Sequence, residues 1–300
     1  MIEIKEVSKS FGKKKALDKL NLTIEEGGIF GLVGSNGAGK STLLRIMAGV
    51  YKADRGQVLI DGQNVFENPE IKQKICFLPD SSYFFNDATP NSAADYYGIL
   101  YPAFDHGSFK KILKKLQLDP DGKVRSFSKG MRRQLTIALA LCTGAKYLFL
   151  DETFDGLDPV ARQAVKSALA EAVYDQRLVP VIASHNLREI EDISDHVGFL
   201  HKGGVLLSKD MNDNRTDLTK LHCAFRSKEE ETELLSGLNV LQYTREGSLL
   251  TLVVRGEKEE VMEKVMAGNP VFAETIPMTL EEIFISEMEG AGYDLRNFND

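Results

Sequence analysis

Residues 34–42 decide the fold, and their sequence is Gly34-Ser35-Asn36-Gly37-Ala38-Gly39-Lys40-Ser41-Thr42. The stretch fits the pattern G-x-x-x-x-G-K-[ST], the phosphate-binding P-loop. The apolar residues 27–33 before it predict a short buried strand, and residues 41–49 after it predict a helix closed by a glycine. A chance match is the alternative, and this context argues against it. We expect the loop to surround phosphate oxygens with backbone N–H groups at a helix N-terminus.

A second acidic site follows an apolar segment, Lys146-Tyr-Leu-Phe-Leu-Asp151-Glu152. The near-continuous apolar character predicts a strand buried on both faces. The two acids at its end form a Walker B pattern, in which Asp151 is the expected Mg²⁺ ligand and Glu152 polarises the attacking water. The alternative is that the acids only cap the next helix. The P-loop upstream favours the catalytic interpretation.

Three short motifs lie around the acidic pair in a fixed order: Ser128-Lys-Gly-Met before it, Asp155-Gly-Leu-Asp158 after it, and Ile182-Ala-Ser-His185 last. Over roughly residues 1–210 the chain therefore resembles the ATP-binding-cassette (ABC) ATPases. The first motif matches the family's signature motif, the second its D-loop and the third its H-switch histidine. An unrelated P-loop kinase is the alternative, and the ordered combination disfavours it.

The resemblance implies an α/β P-loop NTPase fold of the ABC type. Its parts are a mixed sheet core, an antiparallel β subdomain and a helical subdomain at about residues 86–140. It also implies ATP and Mg²⁺ as cofactors, and a homodimer that binds two ATP molecules between its copies. Signature N–H groups at the start of a helix are free to bind the γ-phosphate of ATP on the opposite copy. His185 is expected to contact the γ-phosphate, although a purely structural histidine is the alternative.

The expected site falls into three groups of residues. The nucleotide-binding group is Phe11, Gly34, Ser35, Asn36, Gly37, Ala38, Gly39, Lys40, Ser41, Thr42, Ser128 and Gly130. The catalytic group is Lys40, Glu152 and His185. The Mg²⁺ group is Ser41, Asp80 and Asp151.

Two positions depart from the family pattern. Asp80, after Ile75-Cys-Phe-Leu-Pro79, stands where the Q-loop of the family usually has glutamine. It has two interpretations, a water-mediated Mg²⁺ ligand or a plain turn residue after a proline. Phe11 stands where an aromatic residue, often tyrosine, stacks on adenine, and phenylalanine keeps the stacking face. Its alternative is a hydrophobic plug.

Composition limits the classes of function. The chain has 300 residues, a net charge of −7 and 43% apolar residues. This charge argues against a general nucleic-acid binder, which usually has a basic face. We expect the run Lys13-Lys14-Lys15 to be a solvated hairpin loop. No run approaches the roughly 18 apolar residues of a membrane span, the start is not typical of a signal peptide, and three cysteines without metal-like spacing favour a reducing cytoplasm.

The helical insert and the C-terminal region complete the organisation. Residues 91–101 and 108–118 are helical by periodicity, and the aromatic run Tyr83-Phe84-Phe85 precedes them. This run either packs in the core or receives a transmembrane partner. Residues 213–300 predict an accessory α+β domain in the order β-α-β-β-α-β, a ferredoxin-like sandwich, with a tail helix from about Thr279. It carries no catalytic constellation, and a dimer-bracing or regulatory role is expected.

The function that these patterns favour is the ATP-hydrolysing subunit of a bacterial exporter of the ABC-2 type, bound to a separate transmembrane permease at the cytoplasmic face of the membrane. The exporter assignment rests on the resemblance of the Ser-Lys-Gly-Met signature and of the C-terminal extension. The cargo stays open between a peptide or antibiotic, a lipid-linked glycan and an ion. A soluble ABC ATPase in translation or DNA repair is the alternative, but the second cassette or long coiled coil typical of those proteins is missing. A non-hydrolysing regulatory module is a third candidate, which the intact Lys40, Asp151, Glu152 and His185 disfavour.

Overall fold

The computed structural model describes residues 1–81, 83–154, 156–210 and 217–290. The chain divides into two compact units, Met1–Asp210 and Met211–Asp300. Within the described ranges, the helices are too short or too polar to cross a membrane. The elements of the first unit are β1 (Ile2–Phe11), β2 (Lys14–Ile24), β3 (Phe30–Val33), α1 (Lys40–Met47), β4 (Arg55–Ile60), β5 (Gln63–Asn64), α2 (Pro69–Lys72), β6 (Ile75–Leu78), α3 (Pro90–Leu100), α4 (His106–Lys115), α5 (Lys129–Leu141), β7 (Tyr147–Asp151), α6 (Pro159–Gln176), β8 (Val179–Ser184), α7 (Leu187–Glu191), β9 (His196–His201) and β10 (Gly204–Asp210).

The central sheet has the strand order β10-β9-β3-β8-β7-β6. All its pairings are parallel except that of the edge strand β10 with β9. Strands β3, β7 and β8 are buried along their whole length, as expected for strands covered on both faces. Since β3, β8, β7 and β6 are parallel neighbours, the loops after them lie at one edge of the sheet. Neighbouring strands are about 4.8 Å apart, so these four loops span only about 15 Å.

A smaller antiparallel sheet covers the P-loop helix. Its order is β2-β1-β4-β5, and the polar/apolar alternation of residues 1–26 predicts the β1–β2 pair that the structure contains. One apolar core joins Ile2 of β1, Leu43 and Met47 of α1, and Val181 of β8. Helix α1 is therefore packed between the antiparallel sheet and the central sheet, and this packing fixes the position of the loop from which it begins.

The helical insert between β6 and β7 has a core of its own. Phe109, Leu113, Leu135 and Leu139 pack together there with residues of α3 and of the loops around it. The predicted helices 91–101 and 108–118 are present with small shifts, as α3 and α4. The reason for the second shift is Asp105, whose carboxylate accepts hydrogen bonds from the N–H groups of Gly107 and Ser108 and so begins α4 earlier.

The second unit is an antiparallel sheet with helices on both faces. Its elements are β11 (Leu218–Ala224), α8 (Lys228–Gly237), β12 (Val240–Glu246), β13 (Leu249–Arg255), α9 (Lys258–Ala267), β14 (Phe272–Ile276) and α10 (Leu280–Gly290). The strand order β12-β13-β11-β14 makes two split β-α-β units, the ferredoxin-like arrangement. Leu221 packs with α8 and α9, while its neighbour Lys220 pairs with Glu282 of α10 at 2.6 Å. Since side chains alternate along a strand, α10 lies on the opposite face. Thr279 caps α10, which begins about where the tail helix is predicted. The predicted fold class is confirmed.

All three cysteines, Cys76, Cys142 and Cys223, are buried free thiols. Burial raises the pKa of Cys76 to about 12, that of Cys142 to about 12 and that of Cys223 to about 11. Desolvation therefore disfavours the charged thiolate form at all three positions.

Candidate active site

The P-loop opens onto a cleft of about 390 Å³. Gly39, just before α1, has a φ of +111°, and a Cβ there would lie 2.6 Å from the carbonyl oxygen of Ala16. Only glycine fits both conditions. The cleft is lined by Phe11, Lys14, Ala16, Asn36, Gly37, Ala38, Gly39, Lys40, Ser41, Thr42, Arg45, Asp80, Asp151 and Glu152.

The Lys40 ammonium group is held inside the P-loop. Its side chain is 5% exposed. Its Nζ donates to the carbonyl oxygen of Gly34 at 2.7 Å and lies 3.5 Å from Oε1 of Glu152. Lys40 therefore places a fixed positive charge in the cleft beside the carboxylate of Glu152. Hydrogen bonds from such a charged donor to phosphate oxygens are stronger than those between neutral groups.

Ser41 and Asp151 meet across the base of the cleft. The Ser41 hydroxyl donates to Oδ1 of Asp151 at 2.8 Å. Among the described residues, Oδ2 of Asp151 is buried without a hydrogen-bond partner, and the nearest cation is Nη2 of Arg45 at 3.9 Å. Burial raises the pKa of Asp151, while the Ser41 hydrogen bond and Arg45 oppose the rise. An unpaired buried carboxylate oxygen is costly, and carboxylate oxygens are ligands that Mg²⁺ prefers, so this site fits Mg²⁺.

Glu152 adopts an unusual backbone conformation that directs its side chain to His185. Its φ is +49°, in the left-handed region, which is strained for a residue with a Cβ. Its N–H donates to the carbonyl oxygen of Ala183 at 2.9 Å, so β8 fixes one side of the peptide. Its Oε2 lies 2.8 Å from Nδ1 of His185 and also accepts from the His185 N–H at 3.3 Å. A carboxylate only accepts hydrogen bonds, so Nδ1 of His185 carries the proton in this pair.

Asp80 lies at the side of the cleft and is 58% exposed. Its carboxylate Oδ1 accepts from Nη2 of Arg133 at 3.0 Å, and its carbonyl oxygen accepts from Nη1 of the same arginine. The structure therefore brings Asp80 to the cleft that contains Asp151, and an arginine of α5 holds it there.

Phe11 lies at the mouth of the cleft with 45% of its surface exposed. Its ring packs against Tyr51 in a T-shaped arrangement at a centroid distance of 5.6 Å, and Nζ of Lys9 lies over the ring, 5.6 Å from its centroid. A ring with this much exposed surface still offers area for stacking, whereas a hydrophobic plug has to be buried.

The signature residues lie outside the cleft lining among the described residues. Ser128 caps α5, and its hydroxyl accepts from the Met131 N–H at 3.1 Å. A Cβ on Gly130 would lie 3.1 Å from the carbonyl oxygen of Gly156, so the signature loop packs against the D-loop. Asp155, the first residue of the predicted D-loop, lies outside the described residues, and Asp158 caps α6 by accepting from Ala161 at 2.8 Å.

Comparison with known proteins bears on the whole arrangement. The ABC transporter family model matches residues 17–155. The ABC transporter ATP-binding protein YtrB of Bacillus subtilis is 29% identical over 290 residues, covering 97% of this chain and 99% of YtrB. The bacitracin transport ATP-binding protein BcrA of Bacillus licheniformis is 32% identical over 209 residues, covering 69% of this chain and 68% of BcrA.

The chain belongs to the ABC transporter ATP-binding proteins. It is an ATP-binding ATPase of that family, as its motifs predict. Among solved structures, a dimeric bacterial ABC transporter cassette superposes with a TM-score of 0.65 at 23% identity, covering 71% of this chain and all of that cassette. This likeness supports the fold.

The P-loop, the Walker B acids and His185 therefore meet in space, while the signature residues lie apart from the cleft, and sequence reasoning missed three basic residues of the site. The lysines of the run Lys13-Lys14-Lys15 are exposed, as predicted, but the hairpin-loop prediction is wrong for Lys14 and Lys15, which begin β2, and Lys14 lines the cleft. Its Nζ lies 3.7 Å from the point that a Cβ on Gly37 would occupy. Arg45 lies one turn into α1, near Asp151. Arg133 has a recognisable signal, because it is a charged residue in line with the buried Thr136 and Ile137 of α5.

Proposed function

We propose that this chain is the ATP-hydrolysing subunit of a bacterial ABC exporter. It works as a homodimer that encloses two ATP molecules, and it binds a separate transmembrane subunit at the cytoplasmic face of the membrane. The observation that carries the catalytic part is the contact of Glu152 with both His185 and Lys40 at the edge of the P-loop. These three residues are the ones that the sequence motifs select for hydrolysis.

The chemistry follows from the positions of these side chains. Lys40 and the P-loop N–H groups bind the phosphates, and Phe11 stacks on the base. Glu152 polarises the attacking water and accepts its proton, which is general-base help of about 10²–10⁴-fold in rate. His185 Nδ1–H fixes the direction of the Glu152 carboxylate, and the opposite ring nitrogen is free to face the γ-phosphate. Lys40 offsets negative charge that develops on the transferred phosphoryl group.

Mg²⁺ is the metal that this donor set fits. Ser41 and Asp151 would hold it directly or through water, together with oxygens of the nucleotide. When bound, the ion neutralises charge on the phosphates. Asp80 stands on the side of the cleft from which a water-mediated contact can be made. Its alternative role as a turn residue predicts no effect of its removal on hydrolysis or transport.

The homodimer is supported by the location of the signature loop. Gly130 lies against Gly156, and among the described residues neither Ser128 nor Gly130 lines the cleft of its own chain. The N–H groups at this helix start are therefore available to a nucleotide held by a second copy. We assign this ATPase role to residues 1–212, with the helical subdomain at about 86–140. Residues 213–300 form an accessory domain that braces the dimer or its partner.

An aromatic patch on the first unit suits a protein partner. Tyr83 and Phe85 are 82% and 61% exposed, and Phe85 meets both Tyr83 and Tyr96 edge to face. Only Phe84 of this run packs against the core of the helical insert, so core packing does not account for the other two. We assign the patch to the transmembrane subunit, because exposed aromatic clusters are typical of interfaces.

The exporter assignment is supported by the similarity to BcrA, which is named for bacitracin transport, and a peptide antibiotic is the proposed cargo. The test is to purify the chain with a candidate multi-span membrane protein from the same organism and to reconstitute both in vesicles. Bacitracin should move across the bilayer in an ATP-dependent way, and Glu152→Gln should abolish the movement. A chain that hydrolyses ATP but binds no membrane protein would instead support the soluble ATPase alternative.

A further inference from the structure

One buried guanidinium connects three parts of the site that are far apart in sequence. Arg133 lies on α5, five residues after the signature serine, and its side chain is 5% exposed. Its Nη2 donates to the Glu152 carbonyl oxygen at 2.9 Å and to Oδ1 of Asp80 at 3.0 Å, while Nη1 donates to the Asp80 carbonyl oxygen. The signature helix, the segment after β6 and the segment after β7 are thus joined through one side chain.

The bond to the Glu152 carbonyl explains how a strained backbone persists. A non-glycine residue at positive φ costs on the order of 1–3 kcal/mol and persists only where the surroundings fix it on several sides. For Glu152, the Ala183 carbonyl oxygen fixes the N–H at 2.9 Å, and Arg133 fixes the carbonyl at 2.9 Å. With both ends of the residue held, the side chain points to His185.

Arginine is required for this arrangement because of its shape. Its planar fork presents several N–H groups in fixed directions, whereas lysine presents one compact ammonium on a flexible chain. Asp80 supplies the negative charge that a buried guanidinium needs. Asp80, which stands where the family usually has glutamine, is therefore paired with Arg133. Arg133 also donates a hydrogen bond to Glu152, the residue that follows the Walker B aspartate.

We propose that Arg133 is a positioning residue for hydrolysis. It holds Glu152 in its left-handed conformation and couples that conformation to the position of Asp80, because it bonds both residues. The inference deepens the proposed function, since it rests on Glu152 as the general base. Arg133 itself is outside the cleft lining among the described residues, so it acts through Glu152 and makes no nucleotide contact.

The test compares Arg133→Met with wild type in steady-state ATP hydrolysis. We expect kcat to fall about 10- to 100-fold, the size of effect that a misplaced reacting group produces. KM and the equilibrium Kd for ATP should stay within about threefold, because the phosphate contacts remain. Lys166→Met is the matched control, since it removes a cation of α6 that is 15% exposed, pairs with Asp192 at 2.8 Å and lies outside the cleft lining among the described residues. Its kcat should be unchanged.

A second measurement separates positioning from general loss of structure. In a Glu152→Gln background the group that Arg133 positions is no longer a base, so adding Arg133→Met should lower the residual rate by less than about twofold. A further tenfold loss in that background would overturn the proposal, and so would a normal kcat for Arg133→Met alone.

Arg133→Lys keeps the charge and covers the case in which the methionine variant fails to fold. It should fold, bind ATP and still lose most of the kcat, and wild-type turnover would overturn the proposal. Failure of the proposed function would look different. In that case Glu152→Gln alone would hydrolyse ATP normally, whatever the Arg133 variants do.

Discussion

Replacing Glu152 by glutamine should separate ATP binding from hydrolysis. The change keeps the size of the side chain and a hydrogen-bonding oxygen for the His185 N–H and Nδ1–H, which lie 3.3 and 2.8 Å from Oε2. It does not alter the strain at φ +49°, because glutamine and glutamate share the same backbone preferences. What is lost is the charge and the ability to accept a proton.

The expected size of this loss follows from the role of the carboxylate. General-base help of about 10²–10⁴-fold corresponds to about 3–5 kcal/mol of transition-state stabilisation. The affinity for ATP, in contrast, should be kept or increased. Glu152 Oε1 lies 3.5 Å from Lys40 Nζ, so its negative charge competes with the phosphates for this ammonium and also repels them. We therefore expect ATP to be bound at least as tightly and to hold two copies together.

The assay combines steady-state phosphate release, equilibrium binding of ATP and size-exclusion chromatography with ATP present. Lys40→Ala is the contrast, because it should lose ATP affinity when the phosphates lose their positive partner. Turnover by Glu152→Gln within about tenfold of wild type would refute the assignment of the base. His185 would then be the next candidate.

Four further predictions test other parts of the molecule. Lys14→Ala should raise KM for ATP about three- to fivefold, the effect expected for loss of one exposed charge contact, with little change in kcat. Lys13→Ala should leave both KM and kcat unchanged. Asp151→Asn should raise the melting temperature of the nucleotide-free protein at pH 7. Burial raises the pKa of Asp151, so the protonated carboxyl stabilises the fold at acid pH and this contribution is lost as pH rises through that pKa. Thermal scans should therefore show that the gain from asparagine vanishes toward acid pH. Asp80→Ala should uncouple transport from hydrolysis more than it weakens ATP binding in reconstituted vesicles, and normal transport would leave Asp80 a turn residue. Deleting residues 213–300 should leave the Kd for ATP nearly intact and weaken self-association by light scattering, and a folded truncated chain without ATP binding would contradict the accessory role.

The fold could be predicted largely because its signals are local. The P-loop at 34–42 requires a strand before it and a helix after it, and the structure has β3 and α1 there. The alternation in residues 1–26 and the β-α-β-β-α-β order after 217 depend on side-chain periodicity, which a single sequence displays directly. Bounds moved by a few residues where a capping side chain such as Asp105 begins a helix early.

The basic residues of the site could not be predicted with the same ease, because their partners are distant in sequence. Arg133 meets Asp80 across 53 positions, and only the fold places their two segments together. Lys14 belongs to a run of three lysines that is typical of a solvated surface, and only the pairing of β1 with β2 decides which of the three turns to the P-loop. A charge on an apolar helical stripe is the one local signal that marks Arg133 in advance.

The burial of all three cysteines has a practical consequence for measuring movement in this protein. Thiolates are the reactive form, and high pKa values together with burial keep Cys76, Cys142 and Cys223 unreactive toward alkylating dyes at neutral pH. A single new cysteine at Val160, which is 81% exposed beside the D-loop, can therefore be labelled in the otherwise natural sequence. Fluorescence from that one position would report the approach of a second copy in real time.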